Sequence, residues 1–276
     1  MKHTPAKIIY KKIFIPFVMK SSLICVGTIA LFFIIIVAPV HATLVSPKWQ
    51  KGDYWVYDAE QQGYPLGKMQ MVINGTKNIT VNGTSYEVWK IDILMNITLK
   101  GRSKIVNYTI YQQISDFARV KVESDYYENI YIPPTNDTDY PVDVGDSWER
   151  HYKKVSTLFL LNGTSNQTET VDEYYECIKR KSISTPAGKF LCYWIKQHTG
   201  NTSNYRIYYY APAVGNWVKL EDYGDGEMKA SMELIEFKYE NGGEIEDANS
   251  SPAFEISLLI LSISIILILK KVRRNR

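Results

Sequence analysis

The sequence predicts an all-β fold: two tandem copies of an antiparallel β-meander, forming curved or face-to-face packed sheets, with an N-terminal signal or anchor helix and a C-terminal transmembrane helix. Three observations lead there. Runs such as "YEVWKIDIL", "IVNYTIYQQI", "RVKVES", "FLCYWIKQ" and "YRIYYYA" are rich in Tyr, Val, Ile and Trp and are separated by Gly, Asn and Pro turns. The chain matches itself in order along its length. Both ends carry an apolar segment beside a cluster of basic residues.

Residues 1–42 form a signal peptide or signal anchor. Lys2, Lys7, Lys11, Lys12 and Lys20 precede the uncharged run from Leu23 to Val40, and "VHA" closes it with a cleavage site after Ala42. The run is also nearly long enough to span a bilayer uncleaved. Residues 43–131 are the first β-repeat, 132–141 the linker "IPPTNDTDYP", and 142–240 the second β-repeat.

The two copies align by their own motifs. "KGDYWVY" from Lys51 matches "VGDSWER" from Val144, so that Gly52, Asp53 and Trp55 correspond to Gly145, Asp146 and Trp148. Gly83 and Trp89 in "NGTSYEVWKI" correspond to Gly188 and Trp194 in "PAGKFLCYWIK". Tyr108, Val120, Lys121 and Glu123 correspond to Tyr205, Val218, Lys219 and Glu221. The four tryptophans, Trp55, Trp148, Trp89 and Trp194, are the expected core of the repeat. Each copy has room for four to six strands, and an open meander of that size hides one face poorly, so the copies pack together or join edge to edge.

A polar stalk follows at 241–252, then an apolar helix at 253–272 and a basic tail at 273–276. Phe254 to Leu269 is apolar apart from Glu255, and with Lys270 and Lys271 snorkelling it is long enough to cross a membrane. The positive-inside bias holds both basic ends in the cytoplasm and puts 43–252 outside. That exported part has 22 basic against 28 acidic residues, a net charge of −6, which is the wrong sign for nucleic acid or anionic lipid.

Export fits the asparagines. Sequons of the Asn-x-Ser/Thr type begin at Asn74, Asn78, Asn82, Asn96, Asn107, Asn136, Asn162, Asn166, Asn201 and Asn249. Ten of the chain's fifteen asparagines are thus candidate glycosylation sites, where chance gives roughly two. Of the three cysteines, Cys25 lies in the signal region. Cys177 and Cys192 flank a hairpin turn at Pro186-Ala187-Gly188, and a disulfide between them is expected.

Two resemblances accompany these residues. "SPAFEISLLILSISIILILKKVRRNR" resembles the tripartite sorting signals of archaeal surface proteins, in which a Pro-Gly-Phe motif precedes an apolar helix and a basic tail. That resemblance implies removal of the tail by an archaeosortase and transfer to a lipid. Ala253 stands where the motif has glycine, and a retained helix is the preferred reading. Pro186-Ala187-Gly188-Lys189-Phe190 and "YYAPAVGNWVK" resemble the signature of exported prokaryotic domains of unknown function, over about sixty residues of the second copy alone. This implies a curved antiparallel sheet, akin to lipoprotein-carrier half-barrels, that holds something apolar on its concave face.

Catalytic candidates are few. "VGDSWERHY" presents Ser147 in a Gly-Asp-Ser setting known from ester hydrolases, with His151 or His198 as the base a serine hydroxyl needs. Its twin has Tyr54 in place of Ser147 and keeps Gly, Asp and Trp, so the shared residues are structural and no enzyme is expected. His151 and His198 are the only exported histidines and have no partner at metal-ligand spacing. "EDYGDGE" at Glu221–Glu227 and "NDTD" at Asn136 read as solvated turns in preference to calcium sites. No cofactor is expected.

The functional expectation is a membrane-anchored, N-glycosylated, extracytoplasmic surface protein, a non-catalytic interaction or cell-envelope module that meets other surface proteins. The alternative is a carrier that binds a lipid or small apolar ligand on a concave sheet, with Trp89, Trp194, Tyr208 and Tyr210 among the residues lining it. Serine ester hydrolysis is the third reading.

Overall fold

A computed structural model describes residues 43–99, 102–200 and 202–241. The signal segment, the stalk beyond Asn241, the C-terminal apolar segment and its basic tail lie outside the described residues, as do the sequons at Asn201 and Asn249. There is no helix among the described residues.

Twelve strands follow in chain order: β1 (Tyr54–Gln61), β2 (Tyr64–Val81), β3 (Thr84–Leu99), β4 (Arg102–Gln113), β5 (Arg119–Glu123), β6 (Tyr127–Thr135), β7 (Ser147–Leu160), β8 (Gly163–Thr185), β9 (Gly188–Thr199), β10 (Tyr205–Ala211), β11 (Asn216–Gly224) and β12 (Glu227–Lys238). Each pairs antiparallel with its neighbours in sequence, and β1 pairs with β12 from Tyr54 opposite Lys238 to Gln61 opposite Ala230. The sheet is therefore one closed barrel. Of the two arrangements left open by the sequence, face-to-face packing is corrected and the edge-to-edge union is formed, at both seams, β6 with β7 and β12 with β1. Closure satisfies the backbone groups that two open meanders would have left bare.

The expected linker at 132–141 is also corrected. Ile132 to Thr135 belong to β6, and Ile132 pairs with Lys153 across the seam. Only Asn136 to Asp146 connect the two halves, and six strands lie on each side of them.

Both Gly-Asp motifs turn the chain into the first strand of a half by the same bonds. The Asp53 carboxylate accepts from the Gln50 amide at 2.9 Å, Gly52 N–H donates to Ile73 O at 2.8 Å, and Ile73 N–H returns a bond to Asp53 O at 2.9 Å. In the second half the Asp146 carboxylate accepts from the Asp143 amide at 2.7 Å. Gly145 N–H donates to Cys177 O at 2.8 Å, and Cys177 N–H to Asp146 O at 2.9 Å. Gly52 and Gly145 have φ of 96° and 99°, a region that only glycine enters freely.

Trp55 follows the first turn and is fully buried, its Nε1 donating to Val214 O at 2.9 Å. Trp148 follows the second, buried and stacked on Tyr175 at 5.4 Å. Trp89 and Trp194 are half-buried against the main core. The outer face carries a second likeness between the halves. Tyr111 donates to Glu123, which with Glu128 flanks Lys121, and Tyr209 donates to Glu221, which with Glu233 flanks Lys219.

Charge on this outer face, together with Asp58, Lys68 and Asp92, is the opposite of the apolar band that a barrel crossing a bilayer on its strands presents.

Long hairpins outrun their neighbours. β9 meets β8 only from Glu173 onward, so residues 163–171 have no described strand on that side. β5 meets β4 only from Thr109, leaving 102–108 unpaired on that side, and β1 leaves 74–81 of β2 unpaired. At its other end β8 runs past the start of β7, and 178–185 are unpaired there.

Candidate ligand-binding cavity

Alternation along the strands sends Met69 and Met71 of β2, Ile93 of β3, Tyr108 and Ile110 of β4, Ile195 of β9 and Leu220 of β11 inward around a cavity of about 270 Å³. Arg206, Tyr208 and Tyr210, at alternate positions of β10, face it as well. Aromatic side chains close the rim from which the chain enters β1. Trp49 meets Phe117 edge-on at 4.9 Å, Phe117 meets Tyr140 at 6.0 Å, and Tyr140 meets Tyr210 at 5.9 Å. Phe117 sits in the β4–β5 turn at φ 61°, a strained conformation for a bulky residue, held by its N–H to Gln113 O and by the Gln112 amide on its carbonyl.

The polar side of the interior is a continuous chain of bonds from β5 to β11. Arg119 donates to Asp137 at 2.8 Å, and its guanidinium lies 5.2 Å from the Tyr131 ring. The Tyr175 hydroxyl is shared between Asp137 at 3.3 Å and Glu173 at 2.9 Å. Gln197 donates to Glu173 at 2.9 Å and accepts from Tyr208 at 3.2 Å. Arg206 completes the run, donating to Tyr208 at 3.3 Å and to both oxygens of Asp222 at 2.5 and 3.0 Å.

Electrostatics follow from burial and pairing. Asp137 raises the Arg119 guanidinium well above its ordinary value. Burial opposes charge on Arg206, and Tyr208 and Asp222 more than offset it. Burial, then the charge on Asp137, pushes the Glu173 carboxyl up, while burial pushes Tyr208 and Tyr108 to about 12. Each cavity arginine is thus matched by its own aspartate, and the wall opposite is apolar. Arg206 and Asp222 also line a hollow at the hairpin-tip rim with His198 and Lys229, so the pair stands between cavity and exterior.

Of the residues singled out in the sequence, Tyr208 and Tyr210 line the cavity. Trp194 faces outward, where it meets Tyr209 at 4.6 Å, and Trp89 is not among the lining residues. Arg206 was missed, though it precedes Tyr208 by the same step of two that links Tyr208 to Tyr210. Arg119, Asp137, Glu173 and Asp222 carry no signal without the strand register.

Ser147, His151 and His198 are not brought together as a catalytic group. His151 is bound by Asp172 at 2.7 Å and Glu149 at 3.3 Å, while His198 stacks on Tyr174 at 5.0 Å and bonds Gly200 O at 3.1 Å. Ser147 and His198 border one outer hollow but lie on β7 and β9, with Tyr174 of β8 between them. Two strand spacings separate those strands, about 10 Å.

The acidic runs disperse in the same way. Glu221 points outward to Lys219 and Tyr209, Asp222 inward to Arg206, and among the described residues no group of acidic, His or Cys side chains converges on a metal position. In "NDTD", Asp137 pairs with Arg119 and Asp139 with Arg150.

The expected disulfide is corrected. Cys177 and Cys192 are both free and buried. Cys177 stands opposite Ile195, and Cys192 stands opposite Lys181. The three-residue offset puts them on opposite faces and about 10 Å apart along the ladder, beyond the roughly 7 Å Cα separation a disulfide bridges. Burial pushes the thiols up to about 11 and about 12, with Asp146 adding to the effect on Cys177.

Among the described sequons, Asn74, Asn78, Asn82, Asn96, Asn107, Asn162 and Asn166 are exposed, and the Asn74 Nδ2 is held by Asp92 at 2.7 Å. Asn136 is half-buried at the cavity, its Nδ2 donating to Asp116 O at 3.0 Å and its Oδ1 accepting from Arg150 at 2.7 Å, so it is not free as an acceptor site in the fold.

No protein-family model matches the chain, and no curated protein matches it in sequence. Similar solved structures exist. A protein described as a lipoprotein from Parabacteroides distasonis ATCC 8503 is 16% identical with a TM-score of 0.42, over 71% of this chain and 99% of that one. A protein described as exported, with a YmcC-like fold, from Bacteroides fragilis NCTC 9343 is 13% identical with a TM-score of 0.43, over 71% and 100%. The hypothetical lipoprotein YmcC from Escherichia coli K12 is 12% identical with a TM-score of 0.33, over 66% and 84%.

Proposed function

We propose that this chain is a non-catalytic, membrane-anchored module of the cell envelope that holds a small, largely apolar ligand inside its barrel. The observation that carries the ligand reading is the cavity of about 270 Å³, whose apolar wall faces a row of hydrogen-bonding groups. Because Arg119 and Arg206 are each matched by an aspartate, neither is left to pair with an anionic ligand. The chemistry that fits is a neutral molecule with an apolar body and one hydrogen-bonding end. The position outside the membrane rests on the apolar terminal segments and on the exposed sequons.

The full chain, purified gently from membranes and then denatured, is expected to release one such compound detectable by mass spectrometry. Ile110→Trp, which fills the cavity from its apolar wall, is expected to abolish that release while the protein keeps its β-sheet circular dichroism. Recovery of equal amounts from Ile110→Trp, or of nothing from the wild type, defeats the ligand reading.

A further inference from the structure

Sequons cluster on the stretches of strand that have no partner. Asn74 and Asn78 lie in the unpaired stretch of β2, Asn107 in that of β4, and Asn166 in the 163–171 stretch of β8. Asn82 and Asn162 sit in the turns that end two of these overhangs. Asn96, opposite Lys68 on one side and Ile105 on the other, is the exception.

An unpaired edge is a row of bare N–H and C=O groups that invites a strand from another molecule, and proteins guard such rows with cations, prolines or cover. The fourth overhang, residues 178–185 of β8, has Lys179, Arg180 and Lys181 and no sequon. The 163–171 stretch, "GTSNQTETV", has no cation and no proline, is exposed from Gly163 to Thr170, and is rich in β-forming threonine. At its tip Leu158, Phe159, Leu160 and Leu161 are also exposed, which adds apolar surface to the open edge.

We propose that an N-linked glycan at Asn166 guards the unpaired edge of β8 against strand addition by a second copy of this chain. A glycan on an exposed strand residue is bulky and hydrated, so it excludes a second strand from the row beside it. The 178–185 edge is guarded by Lys179, Arg180 and Lys181, and those of β2 and β4 already carry Lys77 and Arg102 with Lys104; only the 163–171 stretch of β8 combines a sequon with no cation. This inference is independent of the cavity.

The test uses the full chain made in an N-glycosylating host and held in one detergent. Peptide mass spectrometry is expected to find glycan on Asn166, and light scattering to find one copy per particle. The variant Asn166→Gln is expected to self-associate to two copies or more. Adding Thr168→Lys to that variant is expected to restore one copy, because it places a cation on the bare edge. An unmodified Asn166, an Asn166→Gln variant that stays single, or self-association that the lysine leaves unchanged each overturns the proposal; the last outcome marks a general loss of fold.

Discussion

Asp53 and Asp146 make the same turn in different surroundings. Asp53 is 1% exposed, and burial raises its carboxyl against the two backbone bonds that lower it, whereas Asp146 is exposed. Removing the carboxylate from the first turn leaves the partly buried Gln50 amide without its acceptor. Asp53→Ala is therefore expected to cost about 2 kcal/mol and Asp146→Ala about 1 kcal/mol, measured by urea unfolding of each variant. Equal costs would mean that burial does not set the difference. The importance of these two aspartates was readable in the sequence, because Gly, Asp and Trp persist between the halves while Tyr54 and Ser147 differ. Their difference in burial was not, since it depends on Glu240 returning near Asp53 from the far end of the described chain.

Hairpins were legible where a turn and its flanking strands are close in sequence. Pro186-Ala187 turns β8 into β9 as its composition indicates, and the turn itself settles the cysteines. Thr185 faces Gly188, and counting outward brings Lys181 opposite Cys192, four residues past Cys177. Alkylation of the folded protein is expected to spare Cys177 and Cys192, with both reacting after denaturation. Melting is expected to be the same with and without reductant. The internal network was illegible for the opposite reason: Arg119, Glu173 and Asp222 come from three strands whose registers the sequence does not state. Gly67 shows how tightly one register is fixed. A Cβ there would lie 1.9 Å from the Asn96 carbonyl oxygen, at a φ of 142°. Gly67→Ala is expected to cost about 3 kcal/mol, visible as a lower urea midpoint; a neutral effect would show that β2 shifts freely against β3.

For the molecule as a whole, carboxylates pull stability in two directions with pH. Burial works against the charge on Glu123 and Glu221, but bonds from Lys121 and Tyr111, and from Tyr209, Lys219 and Tyr223, hold both below the ordinary range. Their contribution is present at neutral pH and is lost as pH falls through about 4.5 toward their folded values. Glu173 is raised, so its cost appears as pH rises through about 4.5 toward its folded value. Glu173→Gln is therefore expected to melt higher than the wild type at pH 7 and level with it at pH 4. A melting curve in which the two stay parallel over that range would contradict this sign. The all-β class was plain from strand composition, whereas closure was not, because it pairs the first strand with the last. That seam makes folding a long-range problem. Until β12 arrives, β1 has no partner on one side, and every earlier strand can form without completing the ring. High contact order of this kind slows folding and prolongs the exposure of open edges. A chain delivered from its N-terminus must wait for its last strand before the barrel locks.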